Sequence, residues 1–181
     1  MDLAAKMATF PRHGHIVMSL FPNILELFKE KKVYPLQEEN ILVYYGKKYS
    51  LEETLVDVAI LQDVNHFTEK VIDTLAFVQP DFLYFQENKF VQSHNTLKTA
   101  GVPDLVVEVW SDSNDQYERE FKLRLYSSNK NCEHWYMEQE CNRVEKFLGT
   151  QKLPTQTLDE ILVTTKGIKF DLRYLALPDN P

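Results

Sequence analysis

Apolar positions along the chain fall into blocks with two different periods. Ile16, Leu20, Ile24, Leu27 and Phe28 keep helical spacing between about Gly14 and Lys31. Pro22 falls inside that pattern, so the helix either begins near it or kinks there. Residues 1 to 8 carry little pattern and are expected as a loose start. Val33-Tyr34 and Ile41 to Tyr45 read as a strand ending in a Gly46-Lys47-Lys48 turn, and Val56 to Leu61 as another. Residues 63 to 74 read as loop with a short helical turn. Leu75 to Phe85 is a further apolar run. Pro80 interrupts it, which places the start of its paired part at Pro80 or Asp81. Residues 86 to 100 are polar and read as loop. Cys132 to Met137 and Arg143 to Leu148 read as strands, and Ile161 to Thr165 and Ile168 to Leu172 as two more short strands or a strand and a turn.

One stretch organises the rest. Leu105, Val106, Val107, Val109 and Trp110 form an apolar, β-branched run too short for a helix and apolar on both faces, as a covered central strand requires. Glu108 lies inside it. A buried carboxylate is costly unless it is paired or binds a metal, so it is either a salt-bridged structural group or a ligand on a rigid strand. A helix follows over about 114–128, with Ser113 as N-cap and Gln116 closing a capping box. Tyr117, Phe121 and Leu125 form its apolar stripe. Lys122 stands at the edge of that stripe, where it either snorkels into water or leans toward the sheet.

Composition then narrows the class. The 181 residues predict a single domain over 1–181, with flexible ends at 1–8 and 177–181. No apolar run approaches the ~20 residues of a membrane span, and no signal peptide precedes the first helix, so the expected location is cytoplasmic. Cys132 and Cys141 are the only cysteines, too few for a disulfide framework, and are expected to be reduced and unbridged. His13 and His15 flank Gly14 and read as capping or surface groups more readily than as metal ligands. The net charge of −7 is unfavourable for broad phosphate binding, so any contact with nucleic acid has to be local, through a basic patch and a divalent ion.

Pro103, Asp104, Glu108 and Ser111, then Lys122 and Tyr126, then Glu133 and Trp135, follow one another at a distinctive spacing, preceded by Gln79-Pro80-Asp81. In this pattern the chain resembles the putative restriction endonuclease family of small bacterial proteins, within the PD-(D/E)xK nuclease superfamily. The resemblance covers roughly residues 13 to 175. It departs from the family at Phe121, where Glu is usual, at Asp112 within Ser-Pro-Ser, at Asn131-Cys132 for Gly-Val, at His134 for Tyr and at Glu138 for Asp. The resemblance implies a mixed α/β, restriction-endonuclease-like fold with a central mixed β-sheet flanked by helices.

Two acids could share a cation. Asp104 and Glu108 face the same side of the strand, but about 13 Å of strand separates them. If 80–85 and 104–110 are antiparallel neighbours, Asp81 faces Glu108 instead, and the superfamily resemblance implies the same pair. The usual motif Lys, two residues after the second acid, is Trp110 here, and the resemblance implies that Lys122 replaces it. The candidate set is then Asp81 and Glu108 as ligands of Mg2+ or Mn2+, with Lys122 beside the reacting phosphate. Glu118, one helical turn before Lys122, would hold its ammonium, and Asp104 either supports the metal ligands from behind or is a strand-start hydrogen-bond acceptor.

The function expected from this set is Mg2+-dependent hydrolysis of phosphodiester bonds in nucleic acid, with DNA as the expected substrate. The alternative is a non-catalytic protein that keeps the fold for binding or assembly. Its support is the acidic charge and a 12% aromatic content that could supply a homodimer surface.

Overall fold

The structure, a computed structural model, describes residues 3–37, 41–45, 58–60, 75–94, 101–111 and 114–178. A long helix α1 (Leu3–Asn23) is followed at once by α2 (Leu25–Lys29). The helix already runs from Leu3, where the pattern leaves residues 1 to 8 as a loose start. Pro22 acts as a kink and not as a beginning. It has no N–H for the carbonyl one turn back, and the helix breaks directly after it at Ile24. The Asn23 side chain then donates to the Ser19 carbonyl at 2.7 Å.

The strands are β1 (Val33–Gln37), β2 (Ile41–Tyr45), β3 (Val58–Ile60), β4 (Leu75–Val78), β5 (Phe82–Gln86), β6 (Leu105–Trp110), β7 (Glu133–Glu138), β8 (Arg143–Leu148), β9 (Gln151–Lys152), β10 (Gln156–Thr157), β11 (Ile161–Val163) and β12 (Lys169–Asp171). Two further helices are α3 (Glu87–His94) and α4 (Gln116–Ser127). Among the described residues the main sheet runs β1-β5-β6-β7-β8-β10, with β9 also on β8. Its pairings are antiparallel except β6 with β7, which are parallel, so the sheet is mixed. Parallel neighbours need a crossover, and α4 supplies it. β3-β2-β4 form a second, smaller sheet, and β11-β12 a hairpin.

Several expectations change here. Val33-Tyr34 and Ile41 to Tyr45 read as one strand but enter different sheets. The Leu75 to Phe85 run is also divided, with β4 in the small sheet and β5 in the main one, because Gln79, Pro80 and Asp81 lie outside both strands. Residues 87–94, read as loop, form α3. Phe90 anchors it by stacking on Tyr34, with ring centroids 4.0 Å apart, and one such anchor leaves no helical period to read. The turn at 46–48, the loop at 63–74 and Ser113 lie outside the described residues. The N-cap observed for α4 is Asp115, whose side chain accepts from the Tyr117 N–H at 2.8 Å. Tyr117 itself, in the first turn, is exposed, so the buried stripe of α4 consists of Phe121, Leu125 and Tyr126.

Every residue of β6 is buried. Leu105, Val107 and Val109 belong to one core with Ile16, Val17 and Leu20 of α1 and with Ile24 just after it. Val106 and Trp110 belong to another with Phe121, Leu125 and Tyr126 of α4. The alternation of a strand thus places α1 on one face and α4 on the other, and Glu108 has the parity of the α4 face. Cys132 and Cys141 are both free. Among the described residues no helix is long and apolar enough to cross a membrane.

Candidate active site

Glu108 is 1% exposed, and α4 meets its carboxylate with two side chains. Lys122 Nζ lies 2.9 Å from Oε2, and the Tyr126 hydroxyl donates to Oε1 at 2.6 Å. The two helical residues are four apart, one turn on one face, so a single helix orientation delivers both. Lys122 also pairs with Glu118 at 3.1 Å. The expectation that Lys122 leans into the cleft, steadied by Glu118, matches this placement.

Burial pushes the Glu108 carboxyl up, to about 7. Lys122 pulls against that rise, the charge of Asp81 adds to it, and the Tyr126 hydrogen bond opposes it. Burial alone would lower Lys122, but Glu108 and Glu118 outweigh it and raise the ammonium above its ordinary value. Lys122 is therefore charged throughout the neutral range, and Glu108 is the group that titrates there. Tyr126 is driven well above an ordinary phenol by burial and by Glu108, so it stays a proton donor to the carboxylate.

Asp81 enters from the neighbouring strand. β5 and β6 pair antiparallel with Phe82 opposite Val107, so one step further Asp81 comes opposite Glu108. Asp81 sits in the bend after Pro80, and its Oδ2 accepts the Val109 N–H at 2.7 Å. A side-chain oxygen here replaces the carbonyl that a longer β5 would have supplied. Its Oδ1 lies 3.1 Å from His13 Nε2, at the start of the core-facing part of α1.

His13 is a site residue that the sequence reading set aside as a capping or surface group. The usable signal was helical phase. His13 stands three and four residues before the buried Ile16 and Val17, on the core-facing stripe of α1, whereas His15 lies off it and is exposed.

Asp104 does not join this group. It lies at the opposite end of β6, where its Oδ2 accepts the Gln86 N–H at 2.8 Å and its Oδ1 pairs with Lys89 at 3.0 Å and with Lys166. Burial would raise its carboxyl, but Lys166, the Gln86 N–H and Lys89 outweigh that and hold it below the ordinary aspartate range. It fastens the start of β6 to α3 and the β11-β12 turn, as a strand-start hydrogen-bond acceptor does.

Arg119 pairs with Glu138 at 2.9 Å and lies over the Trp110 ring at 4.8 Å. Among the described residues no three His, Cys, Asp or Glu side chains stand close enough to cage a metal. Asp81 and Glu108 supply hard oxygen donors on adjacent strands, and each carboxylate oxygen keeps a lone pair beyond its present hydrogen bond. That donor set fits a loosely held, water-rich Mg2+ or Mn2+, and does not fit a soft ion or an all-protein cage.

A model of the family Uma2, described as "Putative restriction endonuclease", matches residues 37–177. No curated protein matches the chain. Among solved structures the chain is similar to a putative nuclease of the DUF820 group from Anabaena variabilis ATCC 29413, with a TM-score of 0.53 and 10% identity over 92% of this chain and 80% of the other. At that identity the likeness is one of fold, and the fold is nuclease-like.

Proposed function

This chain belongs to the putative restriction endonuclease family, and from that premise and the geometry of the cleft we propose that it is a metal-dependent nuclease hydrolysing phosphodiester bonds, with DNA as substrate. The observation that carries the reading is Glu108, a buried carboxylate on a central strand that its surroundings neutralise incompletely. Structural acids are usually satisfied in full. This one titrates near 7 because burial penalises its charge, and a second carboxylate, Asp81, adds to the rise.

Asp81 and Glu108 would hold Mg2+ or Mn2+, and when bound the ion polarises the phosphoryl group and acidifies the attacking water. Tyr126 keeps one oxygen of Glu108 turned toward α4 and so orients the other. Lys122 shares its ammonium between Glu108 and Glu118, which leaves it able to turn toward negative charge developing on the phosphate while Glu118 retains it. The cleft walls come from β6 and α4, both anchored in the core, so these groups are held with little freedom.

A non-catalytic binding role has one observation in its favour. Each carboxylate oxygen of Asp81 and Glu108 already has a protein partner, as a purely structural network would. The two readings separate on Glu108→Gln, which keeps the size and removes the charge. The wild type should gain melting temperature with millimolar Mn2+ through linkage and should cleave DNA with Mg2+ or Mn2+. The variant should do neither while remaining folded. Identical responses of the two proteins to Mn2+ would favour the binding role.

A further inference from the structure

The carboxylate of Asp81 has no strand to fix it. It stands in a bend behind Pro80, and one hydrogen bond, from the Val109 N–H to Oδ2, would still let its plane turn. The second restraint comes from His13, whose Nε2 reaches Oδ1 at 3.1 Å. With both oxygens held, the remaining lone pairs keep one direction.

The helix that delivers His13 is itself rigidly seated. Ile16, Val17, Leu20 and Ile24 are at most 1% exposed and pack in one core with Leu105, Val107 and Val109 of β6. Arg12, the neighbour of His13, donates to the Gln139 carbonyl at 2.5 Å and to the Leu175 carbonyl at 3.3 Å, which ties this part of α1 to the end of β7 and to the C-terminal segment. Both packing and hydrogen bonding therefore set the imidazole position. α1 also precedes the segment over which the family pattern is matched.

We infer that His13 is the positioning residue for the Asp81 carboxylate, donating from Nε2 to Oδ1, and that α1 is thereby part of the metal-binding unit. The inference rests on the metal-dependent reading above. Outer partners that orient a ligand of this kind are worth roughly 10–100-fold in metal affinity.

The test measures Mn2+ affinity by electron paramagnetic resonance of the free ion, alongside the melting temperature of the metal-free protein, for wild type, His13→Leu, His13→Gln and His13→Asn. The Gln amide can place an N–H where Nε2 stands, and the Asn amide is too short to reach Oδ1. Leu and Asn should weaken Mn2+ binding by about 10–100-fold, and Gln should restore most of it, without a matching order in melting temperature. If His13→Leu does not fold, the Gln and Asn pair makes the same comparison. Wild-type affinity in the Leu or Asn variants, or losses that simply follow melting temperature across the series, would overturn the positioning role while leaving the metal site standing. Absence of Mn2+ binding by the wild type would overturn both.

Discussion

Asp104 stands just before β6 and Glu108 within it, with the same parity, and each is at most 2% exposed. Asp104 receives a backbone N–H and two lysines and titrates below the ordinary range. Glu108 receives one lysine, which it shares with Glu118, and one phenol, and it titrates near 7. At nearly the same exposure the two carboxyls shift in opposite directions, because Glu108 lies deeper and has fewer cationic partners. An acid with surplus partners is a fastening, whose charge the fold needs. An acid with too few is left with affinity to spare, and a cation or a proton can claim it.

The contrast can be broken most sharply at the cations. Lys122→Met should reduce kcat for cleavage by about 10²–10³-fold, the usual cost of losing one donor to developing charge. It should leave the fold intact, because Glu108 can protonate once its partner is gone. Cleavage assays with matched melting curves check this, and unchanged kcat would remove Lys122 from the chemistry.

Asp104→Asn should behave in the reverse way. Two lysines lose their carboxylate, and the fold should lose about 3 kcal/mol, toward the low end for a broken buried pair because both lysines keep some water. Urea unfolding measures it. Metal affinity should hardly change, and a large loss of Mn2+ binding would return Asp104 to the site.

The pH dependence of the metal-free protein sharpens the pair further. Glu108 titrates near 7 in the fold against an ordinary value of 4.5, so the folded state holds that proton more tightly. The stability it confers is fully present below pH 4.5 and is lost as pH rises to about 7, by at most about 3 kcal/mol. Asp104 acts in the opposite sense. Its contribution is present above the ordinary aspartate value and is lost as pH falls through its lowered one. Glu108→Gln should therefore flatten the stability profile between pH 4.5 and 7, and Asp104→Asn the acid limb only. Thermal unfolding across pH distinguishes them, and a Glu108→Gln profile parallel to wild type would show that Glu108 is not the group titrating near 7.

The smallest effect is expected at Glu118. Its side chain is 49% exposed, and its i,i+4 pair with Lys122 should be worth only about 0.3–0.5 kcal/mol. Glu118→Gln should scarcely alter melting temperature. A large change would mean that Glu118 holds more than the lysine.

Strand β6 and the helix after it were legible because their signals are local. Five apolar residues in a row with one acid among them specify a covered strand, and Lys122 and Tyr126 share a helical turn wherever that helix packs. The pairing of Asp81 with Glu108 was also within reach, since Pro80 dates the start of β5 and antiparallel neighbours bring a start beside an end. What only the tertiary structure decided is contact between distant segments. The meeting of His13 with Asp81, the capture of Asp104 by Lys89 and Lys166, and the division of 75–85 between two sheets leave no periodic trace in the chain. Periodicity records which face of an element is buried. It does not record against what, and for a polar side chain that neighbour decides whether it fastens the fold or serves the site.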